Sequence, residues 1–166
     1  LSLFFLTFAL YLGTGLFGRP IHGMIYSYLP PKLEKEFSSI EKDGNVEKLI
    51  WYSDLDQAFD EAEAIEKPIF IDFTGYTCTN CRWMETNIFT LKEVEDRFNE
   101  LILVHLYTDA GENHKEYQRY EIERFGTAAL PYYVILSPED KVLATFPGLT
   151  RDINEFLDFL DKGLAG

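Results

Sequence analysis

The spacing of apolar and polar residues divides the chain into two unequal parts. From Leu1 to Gly18 the run LSLFFLTFALYLGTGLFG carries no charge and shows no polar face in helical projection. At about 1.5 Å per residue, a helix of that length spans roughly 27 Å, close to the hydrocarbon thickness of a bilayer. The run opens on Leu, with no basic stretch ahead of it and no small-x-small cleavage motif behind it. The expectation is a transmembrane helix over 1–18 that ends a larger membrane region; a signal-like remnant and a core helix are the competing readings. Residues 19–44, with Pro20, Gly23, Pro30 and Pro31 ahead of mixed charge, read as a linker.

Beyond residue 45 the periodicity switches repeatedly between helix and strand. Leu55, Ala58, Phe59 and Ala62 recur at helical spacing behind Ser53 as N-cap, predicting a helix over 54–66. PIFIDF, residues 68–73, is apolar on both faces except for Asp72, as in a strand covered by helices on both sides. A short helix is expected from Cys78 to about Asn87. Thr90 and Glu93 form a capping-box pattern before a helix bearing Leu91, Val94 and Phe98. Leu101 to Tyr107 reads as a second buried strand, and Glu112 to Phe125 as a helix closed by Gly126 in a left-handed cap. On that helix Tyr117, Tyr120, Ile122 and Phe125 are expected to pack inward. Tyr132–Leu136 and Lys141–Phe146 suggest a hairpin, and Ile153, Phe156, Leu157 and Leu160 the apolar stripe of a last helix. After the opening helix the order is βαβαββα. Strands separated by helices pair in parallel, while the hairpin adds antiparallel neighbours, so the expected class is α/β with a mixed central sheet and helices on both faces.

Charge sharpens this division. Of 166 residues, 15 are Lys or Arg and 28 Asp or Glu, a net −13. Residues 1–31 hold a single charge, Arg19. The acidic excess therefore lies in the folded part, and binding to a nucleic-acid backbone is not expected.

The candidate chemistry is concentrated in one segment. The only cysteines are Cys78 and Cys81, spaced C-x-x-C after a strand and at the start of a helix. Unpaired N–H groups and the helix dipole at such an N-terminus stabilise a thiolate. Cys78 is then the attacking thiol, and Cys81, a turn further in, resolves the mixed disulfide. Zinc would need about four ligands, and His22, His105 and His114 form no partner pair for one C-x-x-C, so no metal is expected; successive thiolate attack needs no organic cofactor either. His105, on a buried strand, reads as a core histidine. A purely structural disulfide remains the rival reading.

Two acids bear on the pair. Asp72 lies six residues before Cys78 inside an apolar strand, where a carboxylate is costly unless neutralised or partnered. From there it could serve the cysteines as general acid or base. Glu85 falls four residues after Cys81 and shares its helical face, where negative charge disfavours thiolate.

FIDFTGYTCTNCRWME, followed about fifty residues later by TAALPYYVIL, resembles the thioredoxin superfamily, and within it the C-terminal domains of DsbD-type transmembrane thiol:disulfide interchange proteins. The resemblance covers about residues 48–163. It places Cys78 and Cys81 on the redox pair, Asp72 on the family's buried acid and Glu85 on the second acid of DsbD-type domains. It places Pro131 on the proline held in cis beside the active site, with Ala129 and Leu130 supplying backbone for an extended partner. It implies a thioredoxin-like domain over 45–166 with its active face in the bacterial periplasm, anchored to the inner membrane by the N-terminal helix. Electrons would pass from a membrane dithiol domain to oxidised thiol proteins, as in disulfide isomerisation or cytochrome c maturation. Thr77 stands where thioredoxins commonly have Trp, and Thr79-Asn80 replaces Gly-Pro between the cysteines. The alternative is a thioredoxin-like binding module with a static disulfide.

Overall fold

The computed structural model describes residues 5–7 and 49–166. Residues 5–7 are helical; the rest of the expected membrane helix over 1–18, and the linker over 19–44, lie outside the described residues. Among the described residues no helix is long and apolar enough to cross a membrane.

Among the described residues, five strands, β1 (Trp51–Tyr52), β2 (Ile69–Thr74), β3 (Ile102–Tyr107), β4 (Tyr132–Leu136) and β5 (Val142–Pro147), form one sheet in the order β1-β3-β2-β4-β5. The first three run parallel, and β4 and β5 pair antiparallel to their neighbours. Among the described residues, five helices cover the sheet: α1 (Leu55–Ile65), α2 (Thr79–Asn87), α3 (Lys92–Phe98), α4 (His114–Phe125) and α5 (Ile153–Leu164). The mixed sheet with flanking helices agrees with the pattern of the sequence.

All six residues of β2 are buried, and their alternation feeds two cores. Ile69, Ile71 and Phe73 join Ala58 and Ala62 of α1 and Val104 and Leu106 of β3. Phe70 points the other way, into an aromatic-rich core with Phe98, Tyr133, Phe156 and Phe159. Asp72 shares the parity of Phe70, and His105 that of Leu103, so both face the layer that contains α2.

Several local expectations are corrected. Asp54, not Ser53, caps α1, its Oδ1 accepting from the Gln57 N–H at 3.0 Å. The Thr90–Glu93 box does not form: Leu91 occupies the N-cap of α3 without a side-chain bond, and the Thr90 hydroxyl donates to the Thr86 carbonyl instead. On α4 it is Glu121 that is fully buried, while Ile122, expected inward, is 47% exposed. Tyr117, Tyr120 and Phe125 do pack against the α1-side core, so the buried face is centred about one residue from the sequence reading. Strand β1 was not anticipated; two residues give no periodicity, and its place depends on pairing with Leu103 and Val104. Gly126 caps α4 with φ 71°, the left-handed conformation that glycine adopts without strain.

Candidate active site

The end of β2 leads through Gly75, Tyr76 and Thr77 into α2, with Cys78 as its N-cap. Asp109, beyond the end of β3, fixes this connection. Its carboxylate accepts from the Tyr76 N–H at 2.8 Å and from both the N–H and the hydroxyl of Thr77 at 2.9 Å. Burial pushes this carboxyl up, but the backbone bonds from Thr77 and Tyr76 and the Thr77 hydroxyl outweigh that and hold it below the ordinary value. A Cβ on Gly75 would lie 2.8 Å from Asp109 Oδ2, so the close approach requires glycine. Sequence reading missed Asp109, since an exposed acid after a strand carries no distinguishing local signal.

Cys78 and Cys81 are joined by a disulfide. Cys81 is 1% exposed and Cys78 is half-buried. Cys78 Sγ accepts from the Cys81 N–H at 3.1 Å, so the outer sulfur already sits on one of the free donors at the helix start.

Beneath the helix lies a group of ionisable side chains. Asp72 is fully buried, and neither carboxylate oxygen has an aligned hydrogen bond among the described residues. It makes a polar contact with His105 Nε2, 3.3 Å from Oδ2, between strand partners that stand opposite in the β2–β3 register. The His105 ring stacks on Trp51 with centroids 3.8 Å apart and planes 3° from parallel.

Glu85 points into the same space. Its Oε2 accepts from Arg82 at 2.5 Å, and Oε1 accepts from the Thr74 hydroxyl at 3.4 Å. Arg82 also donates to the Thr74 hydroxyl and the Gly75 carbonyl, tying α2 to the end of β2. Burial raises the Glu85 carboxyl from 4.5 to about 7, with Asp72 reinforcing the rise and His105 and Arg82 opposing it. Glu85, expected to weigh on the cysteines as a nearby negative charge, is half of a buried ion pair with Arg82. Arg82 was not singled out in the sequence, although its i,i+3 spacing to Glu85 is the legible sign of the pair.

One ligand atom each from Asp72, Glu85 and His105 lie within 4.8 Å of one another, the spacing of a cation site. Arg82 puts a permanent positive charge on Glu85 inside that space, and a divalent ion would have to enter against it. The donor set suits shared protons better than a metal.

The remaining expected residues line the loop before β4. The Leu130–Pro131 peptide is cis. Pro131 is buried and its carbonyl accepts from the Gly148 N–H at 2.8 Å. Leu130 lies close to Gly75, 3.1 Å from where a Cβ would stand, so this loop borders the approach to the cysteines. Ala129 is exposed, and its N–H is bound by the Thr127 hydroxyl at 3.0 Å; an extended partner using that donor would have to displace it.

Comparison with known proteins places this geometry in context. No curated protein matches the chain. Among solved structures, a thioredoxin from Thermus thermophilus is similar, with 21% identity and a TM-score of 0.57 over 69% of this chain and 85% of that one. The oxidised DsbD C-terminal domain of Neisseria meningitidis gives 19% identity and a TM-score of 0.57, covering 69% of this chain and 99% of the domain. A disulphide-isomerase-like protein from Bacteroides thetaiotaomicron gives 22% and 0.56, covering 74% and 95%. At these identities the likeness is one of fold. A thioredoxin-like family model matches residues 50–138, which span β1 to the turn after β4 and include both cysteines, Asp72, Glu85 and Pro131. The chain belongs to the thioredoxin-like family, and carries that family's oxidoreductase fold with its Cys-x-x-Cys pair in disulfide linkage.

Proposed function

We propose that this chain is a membrane-tethered thiol-disulfide reductase that passes electrons from a membrane dithiol to oxidised proteins outside the cytoplasm. The observation that carries the reading is the Cys78–Cys81 disulfide at the N-cap of α2, half-buried on its outer sulfur and sealed on its inner one. The uncharged run over 1–18 supports the tether, and the likeness to a whole DsbD C-terminal domain supports the donor and the direction of flow. In this reading the redox domain faces the periplasm of a bacterial inner membrane, and the reduced proteins serve disulfide isomerisation or cytochrome c maturation.

The reaction proceeds by thiol-disulfide exchange at Cys78 and Cys81. In the reduced pair, the Cys78 thiolate attacks one sulfur of a substrate disulfide; a mixed disulfide forms and the first substrate thiolate leaves. Cys81 gives its proton to Asp72 and attacks Cys78 Sγ, restoring the Cys78–Cys81 bond and expelling the second substrate thiolate. Two electrons have then moved to the substrate, and a dithiol donor returns two by the same exchange in reverse. Ala129, Leu130 and Pro131 would supply the backbone against which the substrate chain lies.

Turnover of insulin disulfides by the whole chain, with a dithiol as electron source, tests the proposal. Activity that disappears in Cys78→Ser is expected. No turnover above that variant, with Cys78 of the wild type resisting alkylation after mild reduction, would leave a binding module around a static disulfide.

A further inference from the structure

The reductase reading requires Asp72 to take a proton in one half of the cycle and give it back in the other. Asp72 is fully buried, so that proton needs a route. Glu85 and His105 each bring a polar atom within 4.8 Å of an Asp72 oxygen. Glu85 is committed, with one oxygen on Arg82 and the other on Thr74. His105 is not: its Nε2 has no aligned hydrogen bond and lies 3.3 Å from Asp72 Oδ2. The His105 side chain is 15% exposed while its Nε2 is buried, so the exposed part of the ring lies away from Asp72. Trp51 stacked flat on the ring fixes it in this orientation.

We propose that His105 is the relay through which the proton of the buried Asp72 reaches solvent and returns. It acts through Asp72 and touches neither the cysteines nor the substrate. When Cys81 is deprotonated, Asp72 carries the proton briefly and passes it to the lone pair of Nε2. The resulting imidazolium releases its Nδ1 proton to water, leaving a neutral ring protonated on Nε2. When the disulfide is reduced again, Nδ1 takes a proton from water and Nε2 returns its own to Asp72, which supplies the Cys81 thiolate. The ring alternates between its two neutral tautomers, and no net proton is left on the protein.

The surrounding charges are consistent with a transient cation on His105. From β2 it faces Asp72, and from α2 Glu85 with its partner Arg82. On its own strand it meets Tyr107, with ring centroids 6.3 Å apart; from β1 it meets the uncharged Trp51, while Tyr133 on β4 stands opposite Asp72. Burial holds both tyrosines above their ordinary values, so they do not compete for the proton.

The inference rests on the reductase reading, and two substitutions in the whole chain separate the two. His105→Phe keeps a ring on Trp51 without nitrogens; His105→Ala leaves a ring-sized gap beside Asp72. The measurement is the rate at which the reduced pair reacts with a small aromatic disulfide, followed against pH and against added imidazole. Both variants are expected to lose on the order of tenfold or more in the Cys81-dependent step and to show an altered pH–rate profile. Imidazole should restore most of that loss in His105→Ala, and none in His105→Phe or the wild type. Wild-type rates and profiles in the variants overturn the relay while leaving the reductase intact, as does a folded His105→Ala that imidazole cannot rescue. If His105→Ala does not fold, the profile of His105→Phe decides. A wild type that reacts no faster than Cys78→Ser removes the reductase reading, and the relay with it.

Discussion

Arg82 and Glu85 form an ion pair one turn into α2, their side chains only 6% and 10% exposed, directly behind the turn that carries the Cys78–Cys81 disulfide. Losing Arg82 strips the Glu85 carboxyl of its cation in a poorly hydrated space, where it must either stay charged at a cost or take up a proton. Arg82→Met should therefore destabilise the protein by about 3 kcal/mol or more, whereas a variant that also carries Glu85→Gln should recover much of that loss. Chemical denaturation of the four proteins of this cycle measures the coupling. In Arg82→Met the Glu85 carboxyl should titrate higher still, because Arg82 is one of the groups that pull it down.

Much of this arrangement is legible in the amino-acid sequence. The parity of β2 alone puts Asp72 on the face of Phe70, and the spacing of Cys81 and Glu85 puts them one turn apart on α2. What the sequence does not reveal are contacts made across elements. Arg82 reaching Thr74, Asp109 reaching Thr77 and His105 stacking on Trp51 join residues 8, 32 and 54 positions apart, and no local periodicity encodes them. The same holds for β1, which exists only because β3 offers an edge.

Glu121 provides a pH test remote from the cysteines. Both its oxygens are buried without a partner among the described residues, and burial raises its carboxyl from 4.5 to about 7. A carboxyl whose folded value is raised costs nothing below the unfolded value, and stability falls as pH rises toward the folded one. Stability should thus decline between about pH 4.5 and 7 and level off above. Glu121→Gln should flatten part of this decline and raise stability at pH 8 by about 1–2 kcal/mol, with little change at pH 4. Glu85 shares the same window, so its own Gln variant should remove a further part of the slope. Urea midpoints across the range read both effects, and a slope untouched by Glu121→Gln would mean that its carboxyl finds water.

Asp109 has the opposite sign. Its carboxyl is held below the ordinary value, so the stability it confers is present at neutral pH and disappears as pH falls through its folded value. Asp109→Asn can replace only part of the three bonds to Tyr76 and Thr77. A loss of about 1–2 kcal/mol is expected, with slower reaction of Cys78 because the turn that presents it is less fixed. Stopped-flow alkylation of the reduced protein, compared with denaturation midpoints, separates the two consequences.

Packing behind the sheet is tested at Gly163, where α5 crosses β4. A Cβ there would collide with the side chain of Ile135. Alanine is the better helix former by about 1 kcal/mol, yet overpacking a closed contact costs about 1–3 kcal/mol, so Gly163→Ala should be destabilising on balance. The double variant with Ile135→Val should recover stability, and the reaction of the cysteines should be unchanged in both. A stabilised Gly163→Ala would show that α5 can move outward without cost.

The role assigned to Asp72 is tested by its isostere. Asp72→Asn preserves volume, and among the described residues Asp72 has no hydrogen bond to lose, only its contact with His105. Removing a buried carboxylate should leave the fold intact or slightly more stable. The amide accepts no proton, so resolution of the mixed disulfide by Cys81 should slow by about ten- to a hundredfold near neutral pH. The initial attack by Cys78 should change much less, since the N–H groups at the start of α2 and not Asp72 support that sulfur. Pre-steady-state kinetics resolve the two steps, and an unchanged pH–rate profile for the second would remove Asp72 from the mechanism. Glu85 is too firmly held by Arg82 to take its place: combining Asp72→Asn with Glu85→Gln should add little to the kinetic defect, even though it removes the remaining carboxyl from the cavity.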